Sequence, residues 1–142
     1  MSEMLGNRYF LARQFDKAIP YLEEALRQSP NGDKIKKKLI LCYIQTGQIE
    51  RAFALFSELV EKNPNIIIDT DIYYDDCPCN ELIPEWERKS QQENSSVEYL
   101  EILAMLYLYC NVERSRYFFQ KASRKAKDPS KIIWVMSRIS KV

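Results

Sequence analysis

The chain has 142 residues, enough for one compact domain, and 46% of them are hydrophobic. Its 21 basic and 20 acidic residues leave a net charge of +1, which gives no general reason to expect nucleic acid or a membrane surface as partner. It has no histidine, the commonest general base, and no apolar run of membrane-spanning length. Its first ten residues also lack the apolar core of a signal peptide. We therefore expect a non-enzymatic, cytoplasmic protein.

The first segment, residues 1–32, is predicted to form two helices. The first runs from about Ser2 to Ala12. The second begins with Asp16 as its N-cap, because a short acidic side chain can accept hydrogen bonds from the first turn of a helix. Pro20 is expected in that first turn, where a missing N–H leaves no hydrogen bond unmade.

Residues 33–66 contain two more predicted helices. Leu39 and Tyr43 belong to the apolar stripe of the first helix, and Phe56 belongs to that of the second. Gly47 lies between them and suits a helix end that needs a positive φ. Pro64 closes the segment, since proline cannot continue a helix interior.

These two segments match each other when the sequence is shifted by 34 residues. Self-similarity at such a period indicates a repeat array. The pattern resembles the tetratricopeptide repeat, a helix-turn-helix unit, with Arg13 standing where the family prefers glycine. The identical pairs are Leu5 and Leu39, Tyr9 and Tyr43, Ala18 and Ala52, and Pro30 and Pro64. The resemblance implies an all-α fold, a right-handed superhelical array of antiparallel helix pairs.

The period fails after Pro64. We interpret residues 67–95 as an insertion, with a loop from Asn65 to Cys79 and then one helix from Asn80 to about Gln92, capped by Asp76 or Asn80. A degenerate repeat is the alternative interpretation of this segment.

A third copy is predicted at residues 96–129, at a constant offset of 63 from the second. The matched residues are Ile102, Leu106, Val112, Ser115, Phe119 and Ala122, which fall on Leu39, Tyr43, Ile49, Ala52, Phe56 and Leu59. Residues 130–142 are predicted to form a capping helix, because a terminal repeat needs a cover for its last apolar face. The alternative is the first helix of a further repeat.

The resemblance also implies where a partner binds, since the first helix of each repeat lines a concave groove in this family. The expected groove residues are Asn7, Phe10, Leu11, Lys34, Lys37, Lys38, Leu41, Ile44, Gln45 and Tyr107. Lysines beside an apolar floor suit an acidic or C-terminal peptide of a protein partner. One alternative is that the lysines are simply solvated, and another is RNA binding through the basic face from Lys34 to Lys38.

A chaperone-tail adaptor is not expected. The family's carboxylate clamp places Lys, Asn and Arg at positions that read Glu3, Asn7, Lys38, Val97 and Glu101 in this sequence. Only Asn7 fits that clamp, and the acidic residues would repel a terminal carboxylate.

Cys77 and Cys79 are weak candidates for a metal or redox role, since thiols beside carboxylates can bind a metal. A structural zinc site has four ligands, however, and the other cysteines, Cys42 and Cys110, lie inside predicted helices. We therefore expect no metal, no cofactor and four reduced thiols.

Overall fold

A computed structural model describes residues 2–71, 77–90 and 96–139. These residues form helices and no strand, which confirms the all-α prediction. The helices are α1 (Ser2–Leu11), α2 (Phe15–Gln28), α3 (Asp33–Gln45), α4 (Ile49–Lys62), α5 (Asn65–Ile68), α6 (Leu82–Ser90), α7 (Val97–Leu108), α8 (Val112–Lys125) and α9 (Ser130–Ile139). The chain divides into two compact units, residues 1–56 and 57–142.

In the first unit, α1 packs on α2, and α2 packs on α3. Gly6 allows the close approach of α1 to α2, because a Cβ at this position would lie only 2.7 Å from Cδ2 of Leu22. The rings of Tyr9 and Tyr21 stack beside this contact, with centroids 5.6 Å apart. A small residue and two aromatic rings therefore fix how the first two helices meet.

The turns after α1 and α3 have the same backbone conformation. Gly47 has a φ of 79°, as predicted, and Arg13 has a φ of 59° at the equivalent position. The N–H of Arg13 donates to the carbonyl of Phe10, and the N–H of Gly47 donates to that of Ile44, three residues back in both cases. Arg13 therefore adopts a left-handed conformation that glycine takes at no steric cost.

The start of α2 differs from the prediction. The helix begins at Phe15, so Gln14 is its N-cap and Asp16 already lies inside the first turn. The carbonyl of Gln14 accepts the N–H of Ala18 at 3.0 Å. Pro20 is consequently the sixth helical residue. It lies beyond the first turn, where it removes the N–H that would otherwise bond to the carbonyl of Asp16.

The segment that follows Pro64 is more helical than expected. The prediction of a loop from residue 65 to 79 is wrong at its start, because Asn65–Ile68 forms the short helix α5. The carbonyl of Pro64 accepts the N–H groups of Ile67 and Ile68, each at 3.1 Å. A proline that was expected to close one helix pair also begins the next turn, where its missing N–H costs nothing.

The predicted helix from Asn80 to Gln92 is observed as α6, Leu82–Ser90, with Pro84 in its first turn. Asn80 lies in the turn before the helix, while Asp76 and Gln92 fall outside the described residues.

In the second unit, α7 packs on α6 and on α8, and α8 packs on α9. Trp86 of α6 meets Tyr99 of α7, with ring centroids 6.4 Å apart. Ser115, at the position of Ala52, is fully buried and donates its hydroxyl to the carbonyl of Ala104 at 2.7 Å.

The predicted helix at 130–142 is observed as α9, whose residues Ile132, Val135 and Ile139 are buried. Trp134 lies in this helix, with the Arg138 guanidinium 5.1 Å from its ring centroid. Residues 140–142 are outside the described part of the chain. The capping role of α9 stays a prediction.

Candidate partner-binding face

Three residues join α1 and α3 on one face of the first unit. The ammonium of Lys38 donates to Oδ1 of Asn7 at 2.9 Å and lies 5.8 Å from the ring centroid of Phe10. All three are among the residues predicted to line the partner groove, and the structure brings them together. Their juxtaposition puts a cation and an amide next to an aromatic ring.

Several predicted groove residues keep part of their surface. Leu11 is 54% exposed and Lys34 is also exposed, whereas Asn7, Lys38 and Gln45 are half-buried. Lys34 and Lys38 are one helical turn apart on α3, so they can act on the same ligand. These five residues, together with the buried Phe10 ring that the Lys38 ammonium lies over, are called the Lys38 face below.

Four other predicted groove residues have almost no exposed surface. Phe10 is 0% exposed, Lys37 8%, and Leu41 and Ile44 1% each. Their positions on α1 and α3 agree with the helical spacing. Residues with so little exposed surface, however, can make little direct contact with a ligand. The sequence could not distinguish a groove floor from the core, because both are apolar at the same spacing.

Tyr107 belongs to the second unit, where it is half-buried. Its hydroxyl donates to a carboxylate oxygen of Glu87 on α6, and the Arg114 guanidinium lies 5.0 Å from its ring centroid. Burial, together with the hydrogen bond to Glu87, raises the pKa of Tyr107. The side chain is thus held by its own unit.

The first unit contains a corresponding tyrosine, glutamate and arginine, a set that was not predicted from the sequence. Tyr43 donates to Oε2 of Glu23 at 2.5 Å, and Arg51 bonds the same carboxylate at 2.7 Å. The Arg51 guanidinium lies 4.7 Å from the Tyr43 ring centroid. Burial and the Glu23 carboxylate raise the pKa of Tyr43. The signal was available, since a glutamate precedes each of these tyrosines by 20 residues.

The cysteines differ from the prediction most clearly. Cys79 and Cys110 form a disulfide, with Cα atoms 6.0 Å apart, so the expectation of four reduced thiols is wrong. Cys110 lies in the turn after α7 and not inside a helix, and it is half-buried. The Cys77 thiol donates to Sγ of Cys79 at 2.7 Å.

Cys42 is the exception among the cysteines. It is fully buried in α3, and this burial raises the pKa of its thiol to about 12. A thiol with so high a pKa is almost entirely protonated at neutral pH, so it is a poor nucleophile and metal ligand.

No helix in the described part of the chain is both long and apolar enough to cross a membrane. A comparison with curated proteins finds no match. Residues 9–73 match the family model for the tetratricopeptide repeat. This match confirms the resemblance found in the sequence, and the matched segment includes α5. Repeats of this family generally mediate protein–protein interactions and are usually non-catalytic scaffolds. The segment 9–73 is therefore similar to the tetratricopeptide repeat family.

Proposed function

We propose that the protein is an interaction scaffold that binds an acidic peptide segment of a protein partner on the Lys38 face. The observation that carries the proposal is the position of the Lys38 ammonium, which Asn7 and Phe10 hold between α1 and α3. Within the described residues, its hydrogen-bond partner is a neutral amide oxygen and not a carboxylate. Its charge is therefore available to a partner's carboxylate.

The groups around Lys38 match the other parts of such a ligand. Because Oδ1 of Asn7 accepts the lysine N–H, the NH₂ group of that amide is left as a donor for a peptide carbonyl or carboxylate. Lys34, exposed one turn earlier on α3, adds a second positive charge. Leu11 is more than half exposed on α1 and supplies an apolar contact. Together they favour a short acidic segment with one apolar side chain.

The test is binding of a peptide array that contains acidic, neutral and basic sequences, each with a free and an amidated C-terminus. We expect the wild-type protein to select acidic peptides and the Lys38→Glu variant to lose at least tenfold in affinity for them. The matched control is Lys17→Glu, an equal charge change at an exposed position of α2. Equal losses in the two variants would show a general charge effect and would contradict the proposal.

RNA binding through the basic run is the second candidate, and burial weakens it. Lys36 and Lys37 are each only 8% exposed, so the run from Lys34 to Lys38 does not present all its charges to solvent. An RNA-binding surface depends on several solvent-facing cations, and its affinity falls steeply with salt. Titration with single-stranded RNA at two salt concentrations tests this. Tight, salt-sensitive binding that Lys38→Glu abolishes would favour RNA over peptide.

The cytoplasm, the location expected from the sequence, is the one we propose for this scaffold. Fractionation of cells that express the tagged full chain tests it. Recovery in a membrane or secreted fraction would contradict this location.

A further inference from the structure

Three cysteine sulfurs meet in the second unit. Cys77 and Cys79 come from the segment before α6, and Cys110 comes from the turn after α7. The three Sγ atoms all lie within 4.8 Å of one another. In the part of the chain that the structure describes, no other three potential metal-ligating side chains form such a group. This three-cysteine cluster belongs to the second unit, whereas the Lys38 face belongs to the first.

We propose that the three-cysteine cluster is a zinc site in its reduced state, and that the Cys79–Cys110 disulfide is the metal-free, oxidised state of the same site. Thiolate sulfur is a preferred ligand of Zn²⁺, and three protein ligands leave one position of a tetrahedral ion for water or another group. The disulfide and the bound metal exclude each other, because a sulfur in a disulfide carries no thiolate charge with which to bind Zn²⁺.

The geometry needs only small movements. In a tetrahedral site with Zn–S bonds of about 2.3 Å, neighbouring sulfurs lie about 3.8 Å apart. The Cys79 and Cys110 Cα atoms are 6.0 Å apart, and the Cys77 and Cys79 sulfurs are 2.7 Å apart. Once the disulfide is cleaved, the Cys77 and Cys79 sulfurs would need to move apart by about 1 Å to reach the metal-bound spacing.

The backbone on each side holds the cluster in place. Pro78, between the two cysteines of the loop, is buried, and its carbonyl accepts the N–H of Ile83 in α6 at 3.0 Å. The N–H of Cys110 donates to the carbonyl of Tyr107 at 2.8 Å, at the end of α7. The ligands are thus attached to two helices that pack on each other. Such support favours a formed site over chance proximity.

The cluster is also accessible. All three cysteines are half-buried, so a metal ion or a small reductant can reach them, whereas Cys42 is fully buried. A cellular dithiol supplies the reduction. Its two thiols become a disulfide, and two electrons and two protons pass to the sulfurs of Cys79 and Cys110. Binding of Zn²⁺ by the three thiols then releases three protons.

The test uses the full chain, reduced with a phosphine and then freed of metal. We expect native mass spectrometry to show one Zn²⁺ per chain, and Co²⁺ to give the near-ultraviolet charge-transfer absorption of three thiolates. The oxidised chain should take up no metal. Circular dichroism of the reduced, metal-free chain establishes that the helices are formed during the titration. Failure of the reduced, helical chain to bind one equivalent of metal would overturn the proposal.

Variants assign the ligands. Cys42→Ser is the control and should bind as the wild type does, because Cys42 lies outside the cluster. Cys77→Ser leaves the disulfide pair intact and should weaken Zn²⁺ binding at least tenfold and reduce the Co²⁺ absorption to that of two thiolates. Cys77→Asp restores a negatively charged ligand and should bind more tightly than Cys77→Ser. If Cys77→Ser binds within threefold of the wild type, Cys77 is not a ligand and the proposed site is wrong.

Discussion

At the scale of single residues, two equivalent positions end α1 and α3 with a positive φ, 59° at Arg13 and 79° at Gly47. The left-handed conformation costs a non-glycine residue about 1 to 2 kcal/mol. Glycine avoids this cost but loses about 0.5 to 1 kcal/mol through its greater freedom in the unfolded chain. The turn at Arg13 therefore has a conformational free-energy cost that the turn at Gly47 avoids.

We expect Arg13→Gly to raise the free energy of unfolding by about 0.5 to 1 kcal/mol, the balance of those two effects. The reciprocal change, Gly47→Ala, should lower it by a similar amount through the backbone alone, since nothing lies within 4 Å of the added Cβ. Urea unfolding followed by circular dichroism measures both. A destabilising Arg13→Gly would mean that the contact of Arg13 with the Phe10 ring, 5.4 Å from the centroid, outweighs the backbone cost.

Glu101, half-buried in α7, gives a prediction about pH. Burial, and secondarily the charge of Glu98, raises the pKa of Glu101 above its ordinary value of 4.5. The folded chain then holds the proton more tightly than the unfolded chain, so the free energy of unfolding falls as the pH rises from about 4.5 through the raised pKa.

We therefore expect Glu101→Gln to raise the melting temperature at pH 7 and to change it little at pH 4. Thermal melts across this range measure the difference. Glu98→Gln, at an exposed position, removes only the smaller repulsion and should have the weaker effect. A Glu101→Gln variant that melts at the wild-type temperature at pH 7 would contradict the assignment.

At the scale of helix pairs, the contact of Gly6 with Leu22 sets the approach of α1 to α2. An alanine at position 6 gains about 1 kcal/mol in helix propensity. Its Cβ, however, would lie 2.8 Å from Cγ of Leu22 and 3.2 Å from the backbone nitrogen of that residue, which cannot move without α2.

We expect Gly6→Ala to destabilise the protein by about 1 to 3 kcal/mol through overpacking. A double-mutant cycle with Leu22→Ala identifies the cause, because removal of the opposing side chain should make the combined change cost less than the sum of the single changes. Chemical unfolding of the four proteins gives the values. An additive result would place the cause elsewhere.

The repeated tyrosine network bears on the segment before α7. In one unit Glu23 of α2 bonds Tyr43 of α3, and in the other Glu87 of α6 bonds Tyr107 of α7. In both units, the helix that carries the glutamate packs on the next helix and bonds its tyrosine. We propose that α6 is the second helix of a degenerate repeat, the alternative that the sequence left open.

Equivalent roles imply equivalent energetics. We expect Tyr43→Phe and Tyr107→Phe each to lower the free energy of unfolding by about 1.5 to 3 kcal/mol, the net value of one hydrogen bond to a charged group. Tyr21→Phe is the matched control, because Tyr21 contributes its ring to a stack in α2 and no hydroxyl bond of it is seen in the described residues. If only one of the two network variants is destabilised, the two networks are not equivalent.

The sequence predicted helices wherever signature residues recur, and it predicted the left-handed turn at Gly47. It did not predict the same turn at Arg13, because arginine has a low intrinsic preference for a positive φ. The surrounding hydrogen bonds impose this conformation against that preference. An offset of 63 paired Leu106 with Tyr43, whereas the structure gives the role of Tyr43 to Tyr107. The tyrosine that corresponds to Tyr43 therefore lies one residue later in the sequence than this offset predicts.

The arrangement of the Lys38 face was predicted in part. Helical spacing placed Asn7, Phe10 and Lys38 together, and they do meet. Spacing could not show which apolar positions are buried, nor that Cys110 lies past the end of α7 beside Cys79. Both depend on contacts between segments distant in sequence, which no local pattern records.

At the scale of the whole molecule, the Cys79–Cys110 disulfide joins positions 31 residues apart. It closes a loop that contains α6 and α7. A disulfide of this kind stabilises a protein mainly by restricting the unfolded chain.

We expect a reductant to lower the free energy of unfolding by about 2 to 4 kcal/mol. Melts with and without a phosphine measure this, and Zn²⁺ added to the reduced chain should recover part of the loss. A Cys79→Ser, Cys110→Ser double variant is the control, since its stability should not respond to the reductant. Identical melts of the oxidised and reduced wild type would contradict this stabilisation.

Both tryptophans of the chain, Trp86 in α6 and Trp134 in α9, lie in residues 57–142. Intrinsic tryptophan fluorescence is therefore a native spectroscopic reporter of the second unit alone, while far-ultraviolet circular dichroism records the helices of both. Coincident unfolding curves from the two signals would mean that the units unfold cooperatively, and separated curves would give each unit its own transition, without any label.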